Sequence, residues 1–196
     1  MNWYEKLNQY FPVEEMKSKE HMDTLLKEKG SMYYKDEGPH HVLMYAELPN
    51  FTFVDYLFVS KESRGMGLGK KVLQMLKDKK KAIILEVEPV NYEDTDSEKR
   101  LRFYAREGFE HASSIGYCRK SLATGEANDM EILYWAPNGE PEKEIFEAMQ
   151  LMYEDIHTYK DQQFYGESYE PVAKVLSFEK EEKKDVLKPF GNPISQ

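Results

Sequence analysis

The feature that most restricts the fold of this chain is the stretch SRGMGLGKKVLQML, residues 63–76, where Gly65, Gly67 and Gly69 alternate directly ahead of an amphipathic run. Each glycine costs backbone entropy and helix propensity, so three at the mouth of a helix need a reason. A strand that enters a helix through a loop without bulky Cβ atoms lets several backbone N–H groups converge on one point, where the helix terminus adds its partial positive charge. Such a loop cradles an anion. The net charge of −9 makes a local cradle necessary for any polyanionic ligand, and it argues against nucleic acid as a partner, because duplex binding leans on clustered Lys and Arg.

The pattern around this loop alternates strands and helices. Residues 13–29 carry Met16, Met22, Leu25 and Leu26 among charges with Gly30 as a stop, which predicts a helix. Residues 31–35, 41–48 and 51–59 are rich in β-branched and aromatic side chains and are separated by DEGP and PN, as in consecutive antiparallel strands. The glycine loop leads into a helix over 67–78, and AIILEV, 82–87, forms a strand that a crossover places parallel to 53–59. A capping box at Thr95 and Glu98 opens the next helix, which stops before Gly108. Residues 109–118 and 129–135 supply two last strands. The expected fold is α/β, a mixed and mostly antiparallel sheet with one parallel pair and flanking helices. From Pro137 the composition turns to long polar helices, so the expected division is a domain of 1–136 and a helical C-terminal extension of 137–196.

Spacing excludes two familiar phosphate loops. A Walker loop needs four residues between its first glycine and Gly-Lys-Ser/Thr, whereas Gly65 and Gly69 bracket three and Lys70 is followed by Lys71. The dinucleotide fingerprint G-x-G-x-x-G fails because one residue separates Gly67 from Gly69. What fits is R-x-x-G-x-G, read as Arg64, Gly67 and Gly69, between a strand ending at Val59 and a helix. In this the chain resembles the GNAT superfamily of N-acetyltransferases. The resemblance implies that backbone amides of Gly65, Met66, Gly67, Leu68, Gly69 and Lys70, with Arg64, hold the pyrophosphate of acetyl-CoA as co-substrate. It also implies that the strand end at Phe58 and Val59 pairs with the pantetheine arm.

KRLRFYAREGFEH, residues 99–111, resembles the second hallmark of that superfamily, with Phe103, Tyr104, Gly108 and Phe109 in place. The resemblance implies that Tyr104 lies beside the CoA sulfur and protonates the leaving thiolate. A tyrosine with an ordinary pKa of about 10 is a neutral donor at pH 7, as that role requires. The helix departs from the family pattern at Ser97 and Arg100, where many members carry asparagine and alanine. Arg100, Arg102 and Arg106 make it basic, and pairing with Glu86, Glu88, Glu93, Asp94 or Asp96 is the competing use for these arginines.

A lysine-like amine also costs roughly 4–5 kcal/mol to deprotonate at pH 7, so a carboxylate near the site is expected. Asp55 in the central strand and Glu86 and Glu88 on one face of the next strand border the place where the parallel strands would diverge. These three are the candidates to orient or deprotonate a cationic amine.

The expected activity is direct transfer of acetyl from acetyl-CoA to a primary amine of a small molecule or a protein. The alternative is a non-catalytic acyl-CoA-binding module of the same fold, for regulation or protein interaction. Cys118 is the only cysteine, so neither a disulfide nor a cysteine metal site is expected, and an acyl-cysteine route has no histidine in register. His21, His40, His41, His111 and His157 lack ligand spacing, and no metal is expected. No apolar run is long enough to cross a bilayer, so no membrane role is expected and a cytoplasmic location is. Tyrosines of 155–172 suit simple packing against the sheet, a cover for the acceptor cleft or a homodimer contact.

Overall fold

The computed structural model describes residues 1–89, 95–179 and 182–191, without the side chain of Thr95. The chain begins with α1 (Trp3–Asn8) and α2 (Lys19–Glu28), followed by strands β1 (Tyr33–Gly38), β2 (His41–Glu47) and β3 (Phe51–Val59). The glycine loop leads to α3 (Leu68–Lys77), then β4 (Ala82–Val87) and α4 (Thr95–Arg106). Four short strands come next, β5 (Glu110–His111), β6 (Ile115–Lys120), β7 (Ala127–Asp129) and β8 (Glu131–Trp135). After them lie α5 (Glu142–Met152), a π-helical turn at Tyr153–His157, α6 (Asp161–Tyr165), α7 (Val172–Val175) and β9 (Leu176–Phe178). A six-stranded sheet has the order β1-β2-β3-β4-β8-β5, and a three-stranded sheet the order β7-β6-β9. Only the β3–β4 pair is parallel among these strands; the rest are antiparallel.

The central strand explains the shape of the whole. Its aromatic residues fall at 51, 53, 56 and 58, so the period of two breaks once. In the register with β2, Met44 faces Tyr56 and Tyr45 faces Val54, which leaves Asp55 as the extra residue of a bulge. The bulge returns Tyr56 to the face of Phe51 and Phe53, and Phe58 packs against the same core cluster, while Val54 and Leu57 belong to the opposite face. Parallel pairing with β4 runs from Phe51–Ala82 to Val54–Leu85 and stops there. The two central strands therefore fork at Asp55 and Glu86, as bulges beside functional sites tend to arrange. On one side of the sheet α3 and α4 bury Val72, Leu73, Leu76 and Leu101. On the other, α2 and the residues after 136 share one cluster, in which Met22, Leu25, Met149, Met152 and Ile156 meet Phe53 and Ile84.

Three sequence expectations need correction. The helix predicted over 13–29 starts only at Lys19, because Ser18 caps it by accepting the His21 N–H at 3.2 Å. Residues 12–17 form a turn that Tyr56 clasps: its hydroxyl donates to the Glu15 carbonyl at 2.8 Å and accepts the Lys17 N–H at 2.9 Å. The strand predicted over 31–35 runs instead from Tyr33 to Gly38, since the N–H groups of Met32 and Tyr33 still close the end of α2 on the Lys29 carbonyl. The predicted strand over 109–118 is broken between β5 and β6, where the Ser113 and Ser114 N–H groups donate to the Glu142 carboxylate at 3.1 and 2.8 Å. The helix expected from Thr95 is present; its capping side chain, with Glu93 and Asp94, lies outside the described residues.

Candidate active site

The three glycines are required for two different reasons. Gly65 and Gly67 both have φ of +79°, and an added Cβ would meet nothing within 4 Å, so their demand is conformational. Gly69 has an ordinary backbone, but a Cβ there would lie 3.2 Å from the Phe103 ring and 3.8 Å from Val59, so its demand is close packing of α3 between β3 and α4. The Met66 N–H is spent on the Ser63 carbonyl at 3.3 Å. Among the described residues nothing accepts the N–H groups of Gly65, Gly67, Leu68, Gly69 and Lys70, so the start of α3 presents unpaired donors.

This loop opens onto a cavity of about 540 Å³ that reaches through the fork to Arg119 and Met130. Of the residues predicted to contact a cofactor, Val59, Arg64, Gly65, Gly67, Leu68, Gly69 and Lys70 line it. Met66 does not, and is 77% exposed. Phe58 does not line it either: its ring packs edge-on against Tyr10, and Leu57 takes its place in the wall. Lys70, Lys99 and Arg106 also border the cavity, so an acidic protein shows a basic rim at the glycine loop. Arg64 pairs with Asp96 at 2.8 Å and lies 5.1 Å from the centre of the Tyr10 ring, tying the loop to α4 and the N-terminal turn. Lys79 and Lys81, from the basic run after α3, hold Glu47 and take no part.

Tyr104 lies in the wall of the cavity, its ring tilted against Phe103 and edge-on to Phe109 on α4 and the turn that follows. Burial raises its pKa above the ordinary tyrosine value, with Arg100 opposing, so the hydroxyl is a neutral donor at any physiological pH. Of the arginines on α4, Arg102 pairs with Glu98 at 2.7 Å. Arg100 makes no ion pair with the described residues and lies over the Tyr10 and Phe11 rings at 5.6 and 5.9 Å.

The structure assigns the three predicted carboxylates to different surroundings. Asp55 and Lys17 form a 2.7 Å ion pair with side chains only 3% and 2% exposed, and the Tyr33 hydroxyl donates to the second oxygen. Burial raises the Asp55 pKa, but Lys17 and these hydrogen bonds outweigh it and keep the group ionised. Glu86 accepts from His157 Nε2 at 2.7 Å, with Arg119 Nη2 at 4.0 Å. Here too burial is outweighed, and the pKa falls to about 2. Burial lowers that of His157, which keeps the imidazole neutral and donating. Both Asp55 and Glu86 line the cavity; Glu88, just beyond β4, does not.

Glu88 instead lies beside a residue that sequence reasoning passed over, Glu15. Its side chain lines the cavity at 8% exposure. Burial and the Glu88 carboxyl push its pKa up to about 9, so it is protonated at neutral pH. Tyr10, Phe11, Lys17 and Arg119 were missed with it. The signal was present in Pro12 and Ser18, a turn former and a helix cap that bracket the segment, but the alternation of charges in 13–29 masked it. Cys118 is exposed on β6 and outside the cavity, and Asp129 raises its pKa. Among the described residues no group of acidic, histidine or cysteine side chains is placed to hold a metal, and no helix is long and apolar enough to cross a membrane.

Residues 29–111 match the family model described as "Acetyltransferase (GNAT) domain". Over 183 residues the chain is 64% identical to "Putative acetyltransferase YjbC" of Bacillus subtilis (strain 168), covering 93% of this chain and 95% of that protein. Among solved structures its fold is similar to that of a "Putative acetyltransferase from GNAT family from Bacteroides thetaiotaomicron", with a TM-score of 0.61 and 22% identity over 80% of this chain and 90% of the other.

Proposed function

The chain belongs to the GNAT acetyltransferase family, and we propose that it moves the acetyl group of acetyl-CoA directly to a primary amine. The observation that carries this reading is the set of N–H groups at Gly65, Gly67, Leu68, Gly69 and Lys70, unpaired among the described residues, which open onto the same cavity as Tyr104 and the strand fork. The diphosphate is the ligand group that such a loop and its basic rim fit, and the fork receives the pantetheine arm alongside Leu57 and Val59. The thioester then lies within the cavity that Tyr104 lines. The acceptor nitrogen forms a bond to the thioester carbonyl, the C–S bond breaks, the departing thiolate takes its proton from the Tyr104 hydroxyl, and the proton lost by the new amide nitrogen restores that hydroxyl.

The surroundings decide what the acidic residues do. Outweighing burial, His157 and Arg119 hold Glu86 below the ordinary carboxylate range, so it is a weaker base toward an amine of pKa about 10.4 than a free carboxylate would be. Glu86 is therefore the ionised group that positions the acceptor ammonium, and the proton leaves to water. Asp55 holds the fork through Lys17. Glu88 acts through Glu15, by sharing its proton.

The test is release of free CoA thiol from acetyl-CoA in the presence of a panel of primary amines. In Tyr104→Phe the turnover number should fall by about 10²-fold, at the low end for general acid catalysis because a thiolate leaves readily, with KM for acetyl-CoA little changed. Undiminished turnover in that variant would remove the tyrosine from the mechanism, and absence of CoA release with every amine would count against transfer.

A further inference from the structure

The inner end of the cavity contains more charge than an amine site needs. Beyond the fork, Arg119 is 5% exposed and Arg100 stands against Tyr10 and Phe11. Among the described residues, the Nε atoms of both guanidinium groups are buried with no hydrogen-bond partner, as is Oε1 of Glu15. All three residues line the same chamber as Glu86. An unpaired buried donor costs about 1–3 kcal/mol, more when charged, so two guanidinium groups that line one chamber with their Nε donors unmet mark it as a place for an anionic ligand group.

From this we propose that the acetyl acceptor is a small amine carrying its own carboxylate, an α-amino acid or close analogue, with the carboxylate held by Arg100 and Arg119 and the ammonium by Glu86. The proposal rests on the reading of the outer cavity as an acetyl-CoA site and names what occupies its other end. Three features support it. A cationic and an anionic group stand side by side, Arg119 Nη2 being 4.0 Å from Glu86 Oε2, which matches a ligand whose opposite charges are also adjacent. Lys17 is neutralised by Asp55, whereas Arg100 has no carboxylate partner among the described residues, so the chamber has a cation to spare. Glu15 does not cancel that cation, because burial and Glu88 keep it protonated to about pH 9. Guanidinium groups are the preferred partners of planar anionic oxygens. A lysine side chain or N-terminus within a protein lacks the adjacent carboxylate.

With acetyl-CoA saturating, CoA release is measured for the free α-amino acids and ornithine, for their amides, and for cadaverine and putrescine as carboxylate-free partners of lysine and ornithine. Phosphoethanolamine beside ethanolamine tests for a phosphate in place of a carboxylate. At least one free amino acid should exceed its amide or decarboxylated partner by about 10²-fold in kcat/KM. In Arg119→Gln and Arg100→Gln that ratio should fall towards one through KM. Arg100 stands against the aromatic wall, so its variant decides the matter if Arg119→Gln does not fold. Equal or better turnover of carboxylate-free amines overturns the proposal, as does a preference confined to the phosphate-bearing amine. Failure of every amino acid while calorimetry still registers acetyl-CoA also overturns it and leaves the outer site standing; loss of acetyl-CoA binding itself removes the reading beneath it.

Discussion

Truncation after Ala136 should leave a chain that does not fold. Ile145, Phe146, Met149, Met152, Tyr153, Ile156, Val175 and Leu176 are all buried in the cluster that also contains Phe53, Ile84 and Tyr117 of the sheets. Full burial of one such side chain is worth about 1.5–3 kcal/mol, so together they match or exceed the roughly 5–15 kcal/mol by which a domain is stable at all. Polar connections go with them. His157 is the donor to Glu86, and Tyr165 accepts the Ser18 N–H at 2.9 Å and bonds His21 at 3.1 Å, so removal would also expose the turn carrying Glu15 and Lys17. Circular dichroism and a thermal melt should show an insoluble chain or one without a cooperative transition. A soluble fragment melting cooperatively would show instead that residues 137–196 are an appendage.

Asp55→Asn should destabilise the protein by about 3–5 kcal/mol, the cost of removing one partner from a buried ion pair and leaving the other charge unmet. Lys17 is almost fully buried and makes its contact with Asp55 at 2.7 Å. For a chain of this length the loss corresponds to a fall in Tm on the order of 10 °C. The double variant Lys17→Met with Asp55→Leu should recover much of that loss, because it leaves no buried charge without a partner. A purely catalytic aspartate gives a different pattern: Asp55→Asn would melt like the parent and lose turnover alone. Urea titrations of the single and double variants separate the two outcomes.

The parts of the site that depend on local sequence were legible, and those that depend on tertiary packing were not. Gly65 and Gly67 can be read because a left-handed backbone excludes most side chains, and Phe103, Tyr104, Gly108 and Phe109 because their spacing is fixed by one helix and its cap. The parallel strand pair followed from the crossover. The environment of Asp55 could not be read, because its partner lies 38 residues away in a turn. Lys17 and Glu15 resemble solvated helix charges until Tyr56 is seen to fold that turn into the cleft. Arg119 likewise sits on a short strand whose polar sequence gives no sign that its inner face closes the cavity. The bulge was visible in the sequence as aromatic residues at 51, 53, 56 and 58, a change of phase whose meaning depends on the register with β2.

The central claim is that the N–H groups at the start of α3 bind a diphosphate whose thioester arm enters the fork. Titration calorimetry of the intact chain with acetyl-CoA, and separately with acetyl-pantetheine, which has the arm without the diphosphate, tests it most directly. A saturating heat with acetyl-CoA and none with acetyl-pantetheine at the same concentrations is the predicted result. Equal binding of the two, or no binding of acetyl-CoA to well-folded protein, would contradict it.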